Sequence, residues 1–286
     1  MSAQHRHFAR ILEGMDASDG AGVRLKRYIA RPGLEALDPF LLLDEFRTDR
    51  ADDYIAGFPP HPHRGFETVT YMIHGRMRHR DSTGMEGLLT PGSVQWMTAG
   101  RGIIHSEMPE MESGLMWGYQ LWVNLPASLK MSAPRYQDIG PERIPEMTDG
   151  AARVRVIAGA HGGTRGAAET LTEVAYLDVE LAAEGRFTRA ELHGHASFLL
   201  VLDGELQDVV GTRARRGQLA VITGEGPLAV EADGEGARFL YLAGAPLKEP
   251  IAWRGPFVMN TATELRQAFD DYQNGRFTAP APGNQD

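Results

Sequence analysis

The chain has 286 residues, of which 42% are hydrophobic and 23% are charged, and it contains no cysteine. This composition is typical of a soluble globular protein with one large or two ordinary domains, and it excludes disulfides and thiolate metal sites. The net charge of −9 argues against direct binding to nucleic acid, which requires a basic surface. No secretory signal and no apolar run of about 18 residues is visible, so we expect a cytoplasmic protein without membrane contact.

Short strands separated by glycine and proline make up most of the predicted structure. The 33 glycines and 17 prolines divide many short apolar runs, as in all-β proteins with tight turns. We expect residues 1–22 to form a loosely docked lead, and the strong alternation over residues 114–125 predicts a core strand. Further strands are predicted at 20–29, 40–46, 68–73, 77–84, 93–98, 154–157, 175–181, 197–202, 218–223 and 237–243.

Two later stretches depart from the strand pattern. Residues 126–150 are rich in proline and charge, and we interpret them as an interdomain linker. Residues 263–273 show helical spacing, which predicts a helix docked on a barrel, and residues 278–286 are expected to fray. The apolar positions of this helix are Leu265, Phe269 and Tyr272, and its candidate N-caps are Thr261 and Thr263.

An internal repeat predicts two similar barrels. Residues 71–77 resemble residues 200–206, with a glycine turn at the same place in each. We therefore expect an all-β chain with one barrel over residues 1–135 and a second over residues 136–286.

Two pairs of ligand-type residues frame the first half of this repeat. His61 and His63 are two apart, as are His105 and Glu107, so each pair shares one face of a strand. Brought together inside a barrel, the pairs would supply three imidazoles and one carboxylate. That set suits a first-row transition metal, and open positions beside it would suit iron.

Glu67 is an alternative fourth ligand. It follows His63 by four residues, about 13 Å along a straight strand, so it reaches the same metal only if the chain bends at Gly65. Glu107 needs no bend because it is two residues from His105. The spacing therefore favours Glu107 and leaves Glu67 open.

The remaining histidines are expected to be ordinary polar side chains or to form an incomplete site. His193 and His195 repeat the His-X-His spacing in the second half, but no His-X-Glu pair follows them. The second barrel is therefore expected to lack a complete metal site. The histidines interpreted as ordinary are His5, His7, His74, His79 and His161.

Four sequence blocks resemble the pirin family of the cupin superfamily, and they lie in both halves of the chain. They are residues 61–69, 95–109, 121–125 and 255–261. The resemblance implies a bicupin, that is, two double-stranded β-helix (jelly-roll) barrels with a short C-terminal helix. It also implies one mononuclear metal, Fe(II), held by His61, His63, His105 and Glu107, and no metal in the second barrel.

The resemblance further implies an activity and an alternative to it. Pirins resemble quercetin 2,3-dioxygenases, so we expect a flavonol substrate and O2, ring opening and release of carbon monoxide. Glu107 is the expected catalytic base. Four apolar residues are interpreted either as the lining of the site or as ordinary core: Phe58, Phe66, Trp96 and Met97. The alternative is an iron-containing, redox-sensing protein that binds a protein partner without turnover. Other cupin chemistry with zinc or manganese is a third hypothesis.

Overall fold

The structure is a computed structural model that describes residues 5–190 and 194–278. Apart from short 3₁₀ turns and one C-terminal helix, its regular structure consists of antiparallel strands. In chain order, the strands up to residue 140 are β1 (His7–Glu13), β2 (Met15–Asp19), β3 (Val23–Ile29), β4 (Phe40–Thr48), β5 (Phe58–His63), β6 (Phe66–His74), β7 (Met77–Asp81), β8 (Glu86–Leu89), β9 (Val94–Thr98), β10 (Ile103–Pro109), β11 (Met116–Asn124) and β12 (Arg135–Ile139). After them follow β13 (Glu146–Asp149), β14 (Ala152–Ala158), β15 (Ala160–His161), β16 (Thr164–Arg165), β17 (Val174–Leu181), β18 (Arg186–Arg189), β19 (Ala196–Asp208), β20 (Arg213–Arg215), β21 (Gln218–Thr223), β22 (Leu228–Gly244), β23 (Ala252–Arg254), β24 (Phe257–Met259) and α1 (Ala262–Gln273).

The chain divides into two compact units that exchange segments. Unit N contains Asp16–Leu25, Leu41–Gly140 and the chain from Leu247 onward, and unit C contains the chain up to Met15 together with Lys26–Phe40 and Pro141–Pro246. The single boundary expected after residue 135 is thus replaced by several crossings. One of them, between Gly140 and Pro141, falls inside the predicted linker. The rest of that stretch is not an open linker, because it carries the edge strands β12 and β13.

Unit C is built on one large antiparallel sheet with the order β1-β21-β19-β22-β17-β14-β13, to which β18 and β20 add. The expectation that residues 1–22 are loosely docked is wrong for β1, which pairs with β21 along its length. Phe8 is 4% exposed in the core, and its backbone N–H donates to the Asp208 carboxylate at 2.7 Å. Ile11 also packs against the same core, so two apolar side chains and a paired backbone fix this edge strand.

Unit N is built on two sheets, with the orders β5-β10-β7-β8 and β12-β9-β6-β11-β4-β3-β2. Side chains from the two sheets meet in the interior: His63 packs on Trp122, Thr70 donates to Glu107, and His79 bonds Asp138. The polar layer between the sheets is the notable feature of this unit, because a barrel core is usually apolar. The expected all-β bicupin with a C-terminal helix is confirmed.

Helix α1 begins one residue before its predicted start. Thr261 is the N-cap, and a capping box joins its side chain and backbone to Glu264. Ala268 is fully buried against Phe257 and Phe277, with Leu265 and Phe269 packed alongside. Tyr272 contacts Phe257 and Phe277 edge-on, with ring centroids 6.2 and 5.5 Å apart, but it lies at the margin of this face and is 40% exposed. Among the described residues, no helix combines the length and apolar character that a bilayer crossing requires.

Candidate metal centre

Three histidines converge because β5 and β10 are neighbouring antiparallel strands. His105 lies directly opposite His61 in the ladder, and Ile103 lies opposite His63. Opposed residues and residues two apart share one face of a sheet, so all three imidazoles point into the interior of unit N. One ligand atom from each of His61, His63 and His105 lies within 4.8 Å of the other two. The two predicted sequence pairs therefore do meet across a pair of strands.

The ring nitrogens of these histidines fit a metal ion. The Nδ1 of His61 is 2.8 Å from the Pro59 carbonyl oxygen, which can only accept, so Nδ1 carries the hydrogen and Nε2 of the neutral ring keeps its lone pair. Both ring nitrogens of His105 are buried, and within the described residues neither has a hydrogen-bond partner. Burying such a group unpaired costs about 1–3 kcal/mol. A bound cation would relieve this cost at one nitrogen.

The surroundings of two of these imidazoles, His63 and His105, favour their neutral form. Burial lowers the pKa of both His63 and His105 well below the ordinary value, and the neighbouring imidazoles lower it further. The Pro256 carbonyl acts in the opposite direction on the pKa of His63, but more weakly. Since a metal binds the neutral imidazole, these shifts leave the ligand atoms available at neutral pH.

Glu107 lies beside the three imidazoles on β10. It is 4% exposed, and burial raises the pKa of its carboxyl while His61 and Thr70 lower it. The register with β5 shifts between His105 and Glu107, because three steps along β5, from His61 to Phe58, match two along β10. The ladder between β10 and β7 stays regular through both residues. Glu107 is not a member of the group whose ligand atoms all lie within 4.8 Å. Its role as the fourth ligand stays a prediction.

A buried hydrogen-bond chain continues from Glu107 to the facing sheet. The Thr70 hydroxyl is 2.8 Å from Glu107 Oε1 and 2.6 Å from Gln120 Oε1. One hydroxyl carries one hydrogen, so Thr70 donates to only one of these oxygens at a time. A protonated Glu107 would donate to Thr70, which would then donate to Gln120. The chain can therefore accommodate either protonation state of the carboxyl.

Glu67, the alternative ligand, lies on the other face of β6. Its neighbour Phe66 contacts His63, with ring centroids 5.1 Å apart, and adjacent strand residues point to opposite faces. Its carboxylate instead accepts a hydrogen bond from the Thr98 hydroxyl at 2.6 Å. Gly65 does adopt a positive φ of 91°, but the turn it makes does not bring Glu67 among the grouped imidazoles.

The expected apolar lining is only partly correct. Phe66 packs on His63, and Phe58 lies opposite Glu107 in the β5–β10 ladder. Met97 pairs with Thr68 on the interior face, whereas Trp96 pairs with Val69 and shares the outward face of Glu67. Trp96 is therefore excluded from the lining by strand alternation.

Two further features near the imidazoles were missed from the sequence. His79, interpreted as an ordinary side chain, lies opposite Glu107 in the β7–β10 ladder and is fully buried. Its Nε2 is 2.9 Å from the Asp138 carboxylate, which also accepts from Gln95 at 2.9 Å. The second feature is Trp122, whose ring contacts His63 edge-on with centroids 5.1 Å apart. The predicted core face of residues 114–125 consists of odd positions. The same alternation places Trp122, an even position of β11, on the opposite face, which could have been recognised from the sequence.

The turn after His63 is held by two buried basic side chains. Lys130 is 1% exposed and donates to the carbonyls of Gly65 at 2.7 Å and Val258 at 3.0 Å and to Asn124 Oδ1 at 2.6 Å. Arg64 donates to the Asp271 carboxylate at 2.8 Å. The C-terminal segment of the chain thus fixes the residues that immediately follow a ligand candidate.

Unit C shows no comparable group among its described residues. His195 has a carboxylate oxygen of Glu173 3.9 Å from its Nε2, and His193 lies outside the described residues. His161 bonds the Asp149 carboxylate at 3.0 Å and stacks on Phe187. These contacts fit the interpretation of His161 as a structural side chain.

Comparisons with known proteins agree with the fold. The Pirin family model matches residues 22–123, and the model described as the Pirin C-terminal cupin domain matches residues 176–278. A pirin-like protein from Caulobacter vibrioides is 50% identical over 279 residues, covering 95% of this chain and 99% of that protein. Pirin of Homo sapiens is 42% identical over 267 residues, covering 91% and 90%.

A solved structure extends the comparison to three dimensions. The crystal structure of quercetin 2,3-dioxygenase from Acinetobacter baumannii superposes with a TM-score of 0.87 at 34% identity, covering 96% of this chain and 98% of that one. Two matched family models and full-length relatives leave no ambiguity about descent. The chain belongs to the pirin family.

Proposed function

We propose that this protein is a metal-dependent dioxygenase that opens the central ring of a flavonol such as quercetin with O2 and releases carbon monoxide. The observation that carries the proposal is the cluster of His61, His63 and His105, whose ring nitrogens converge within 4.8 Å beside a buried carboxyl. The name of the Acinetobacter baumannii relative, quercetin 2,3-dioxygenase, supports the reaction class.

The donor set supports iron as the metal. Neutral imidazole nitrogens and a carboxylate suit first-row transition ions, and open positions suit Fe(II). We propose His61, His63, His105 and Glu107 as the residues that hold it. When bound, the metal supplies Lewis acidity toward the substrate oxygen and the redox chemistry for O2.

Residues of the chain accept the proton of the substrate and exclude water from the site. We propose that Glu107 accepts the proton of the flavonol 3-hydroxyl, since burial raises the pKa of its carboxyl toward neutrality. Thr70 orients that carboxyl through its hydroxyl. Both atoms of O2 enter the ring-opened product and one ring carbon leaves as carbon monoxide, so no external reductant is needed. His63 and His105 are almost fully buried, whereas His61 is only half-buried, which gives the substrate one side of approach.

Oxygen uptake tests the proposal directly. Protein loaded with iron under anaerobic conditions is mixed with quercetin and air-saturated buffer, with Glu107→Gln as the matched variant. We expect oxygen consumption, loss of the flavonol absorption band and release of carbon monoxide in the parent, and loss of all three in the variant. A folded, fully loaded parent that consumes no oxygen would contradict the proposal and favour a metal-dependent binding protein.

A further inference from the structure

An aromatic wall continues from His63 within unit N. It consists of Phe66, Trp122 and Trp253, which pack together around Leu41 and Val258. The ring centroids of Phe66 and Trp122 are 4.3 Å apart at an interplanar angle of 31°. Those of Trp122 and Trp253 are 5.7 Å apart at 41°. Trp122 also meets the His63 ring edge-on, so the wall begins at a metal-ligand candidate.

The two indoles of this wall are not completely covered. Phe66 is 0% exposed, as is Trp96 elsewhere in the unit, whereas Trp122 and Trp253 are both partly exposed. An indole that stays in contact with solvent next to a site retains apolar surface that a ligand could cover. Both indoles pack against the core on one side, and their partial exposure leaves the remaining ring surface available to a ligand.

The indoles are also fixed in orientation before any ligand arrives. The Trp253 indole N–H donates to the Gly255 carbonyl at 2.9 Å, which satisfies its polar atom and leaves its ring free for packing. Trp122 is set by the β11–β6 ladder, where it lies opposite Thr68. Rings that are already oriented lose little conformational entropy on binding.

We infer that Trp122 and Trp253 form a stacking surface that selects planar aromatic substrates and holds one substrate ring next to His63. The choice of a flavonol as the substrate rests on the function proposed above. A flat ring system can stack face to face on one indole while the other indole, inclined to the first by 41°, contacts its edge, whereas the tetrahedral carbons of a puckered ring hold it away from the indole face. Trp122 would thus determine specificity without taking part in the chemistry.

Binding without turnover tests this inference separately from catalysis. Calorimetric titrations would use metal-loaded protein under strictly anaerobic conditions, with quercetin as the planar probe and taxifolin, its 2,3-saturated and puckered counterpart, as the comparison. The variants are Trp122→Leu and Trp253→Leu. Trp117→Phe is the matched control, since Trp117 lies on the same strand but packs on His74 and Arg47. Metal content and thermal unfolding are measured for each protein.

We expect the parent to prefer quercetin over taxifolin by tenfold or more, and Trp122→Leu to weaken quercetin binding by about tenfold while binding taxifolin almost as before. Trp253→Leu should show the same loss in smaller degree, and Trp117→Phe should keep the parent preference. An unchanged preference in Trp122→Leu would overturn the inference, as would absence of quercetin binding to the parent. If Trp122→Leu does not fold, Trp253→Leu decides in the same way. Binding through the indoles with no oxygen uptake would reject the dioxygenase and leave the stacking surface standing.

Discussion

The ammonium group of Lys130 and the carbonyl oxygen of Gly65 are 2.7 Å apart in the interior of unit N. Gly65 follows His63 by two positions, and its own Cβ, if it had one, would lie 1.9 Å from the Val258 carbonyl oxygen. The positive φ and this close approach together require glycine there. A single buried lysine thus ties the turn after a ligand candidate to β11 and to β24.

Replacing Lys130 by methionine should destabilise the protein strongly. The change keeps the length of the side chain but leaves the Gly65 and Val258 carbonyls and the Asn124 amide oxygen without their buried donor. We expect a loss of about 3 kcal/mol in the free energy of unfolding, measured by urea denaturation. The control is Lys26→Met, because Lys26 is exposed on β3. Equal effects of the two changes would argue against the role of the buried ammonium.

The same lysine should make stability depend on alkaline pH. Burial lowers the pKa of Lys130 to about 8 from an ordinary value of 10.5, although Glu249 and Glu264 oppose the shift. Between these two values the unfolded chain binds more protons than the folded one. The contribution of Lys130 to the free energy of unfolding therefore rises with pH across this window and is flat below it. We expect the stability difference between the parent and Lys130→Met to be larger at pH 10 than at pH 7.5.

Removing one imidazole should remove the metal. In His61→Ala or His105→Ala only two of the three converging nitrogens remain, and we expect no stoichiometric iron or nickel after anaerobic loading, measured by elemental analysis. The parent should gain about 2.7 kcal/mol of stability at a free metal concentration one hundred times the dissociation constant, and the variants should gain nothing. His74→Ala is the control, since His74 is exposed. Full occupancy in either variant would show that the assignment is wrong.

Glu107 should make the stability of the metal-free protein depend on pH. Because burial raises the pKa of Glu107, the folded metal-free protein binds more protons than the unfolded chain above the ordinary value of 4.5, and its stability falls as pH rises through that window. Glu107→Gln removes this loss, so the metal-free variant should be more stable than the parent at pH 7. The advantage should disappear below about pH 4, where the Glu107 carboxyl of the parent is protonated in the folded and in the unfolded chain.

Metal affinity separates Glu107 from Glu67. We expect Glu107→Gln to weaken binding by tenfold or more, and Glu67→Gln, on the opposite face of β6, to change it by less than threefold. Competitive titration with a chelating dye measures both. The reverse order of effects would restore Glu67 as the ligand.

Gly87 should be intolerant of a single methyl group. A Cβ at this position would lie 2.1 Å from His79 Nε2 and 2.5 Å from Asp138 Oδ2, so Gly87→Ala would break the bond between the two. We expect a loss of about 1–3 kcal/mol in the free energy of unfolding from thermal denaturation. Gly234→Ala, which meets nothing within 4 Å, is the matched control. A neutral Gly87→Ala would mean that the His79–Asp138 pair adds no stability.

Sequence patterns predicted the parts of this structure that depend on local periodicity. The spacing of His61 with His63, and of His105 with Glu107, indicated a shared face, and the ladder between β5 and β10 supplied the convergence. The capping residue and the extent of α1 were predicted nearly to the residue. The barrel pattern and the family blocks gave the bicupin fold.

Side-chain contacts that depend on the register between distant strands could not be predicted from the sequence. His79 faces Glu107 only because β7 pairs with β10, and no local pattern fixes that pairing. The alternation that excludes Trp96 was present in the sequence, but it has meaning only once the interior face of β9 is known. Strand pairing likewise decides which segments of the chain belong to which unit, and the amino-acid composition does not reveal it.

The contacts that hold Arg64 and Gly65 have a consequence for synthesis of the chain. All four proposed ligands lie within the first 107 residues, but the turn after His63 is held by Val258, whose N–H donates to the Arg64 carbonyl at 3.0 Å, and by Asp271 on α1. A nascent chain that has emerged only as far as β12 therefore carries every proposed ligand and lacks the segment that holds the turn after His63. We therefore expect the proposed metal site to form only after the segment from β24 to α1 has been synthesised.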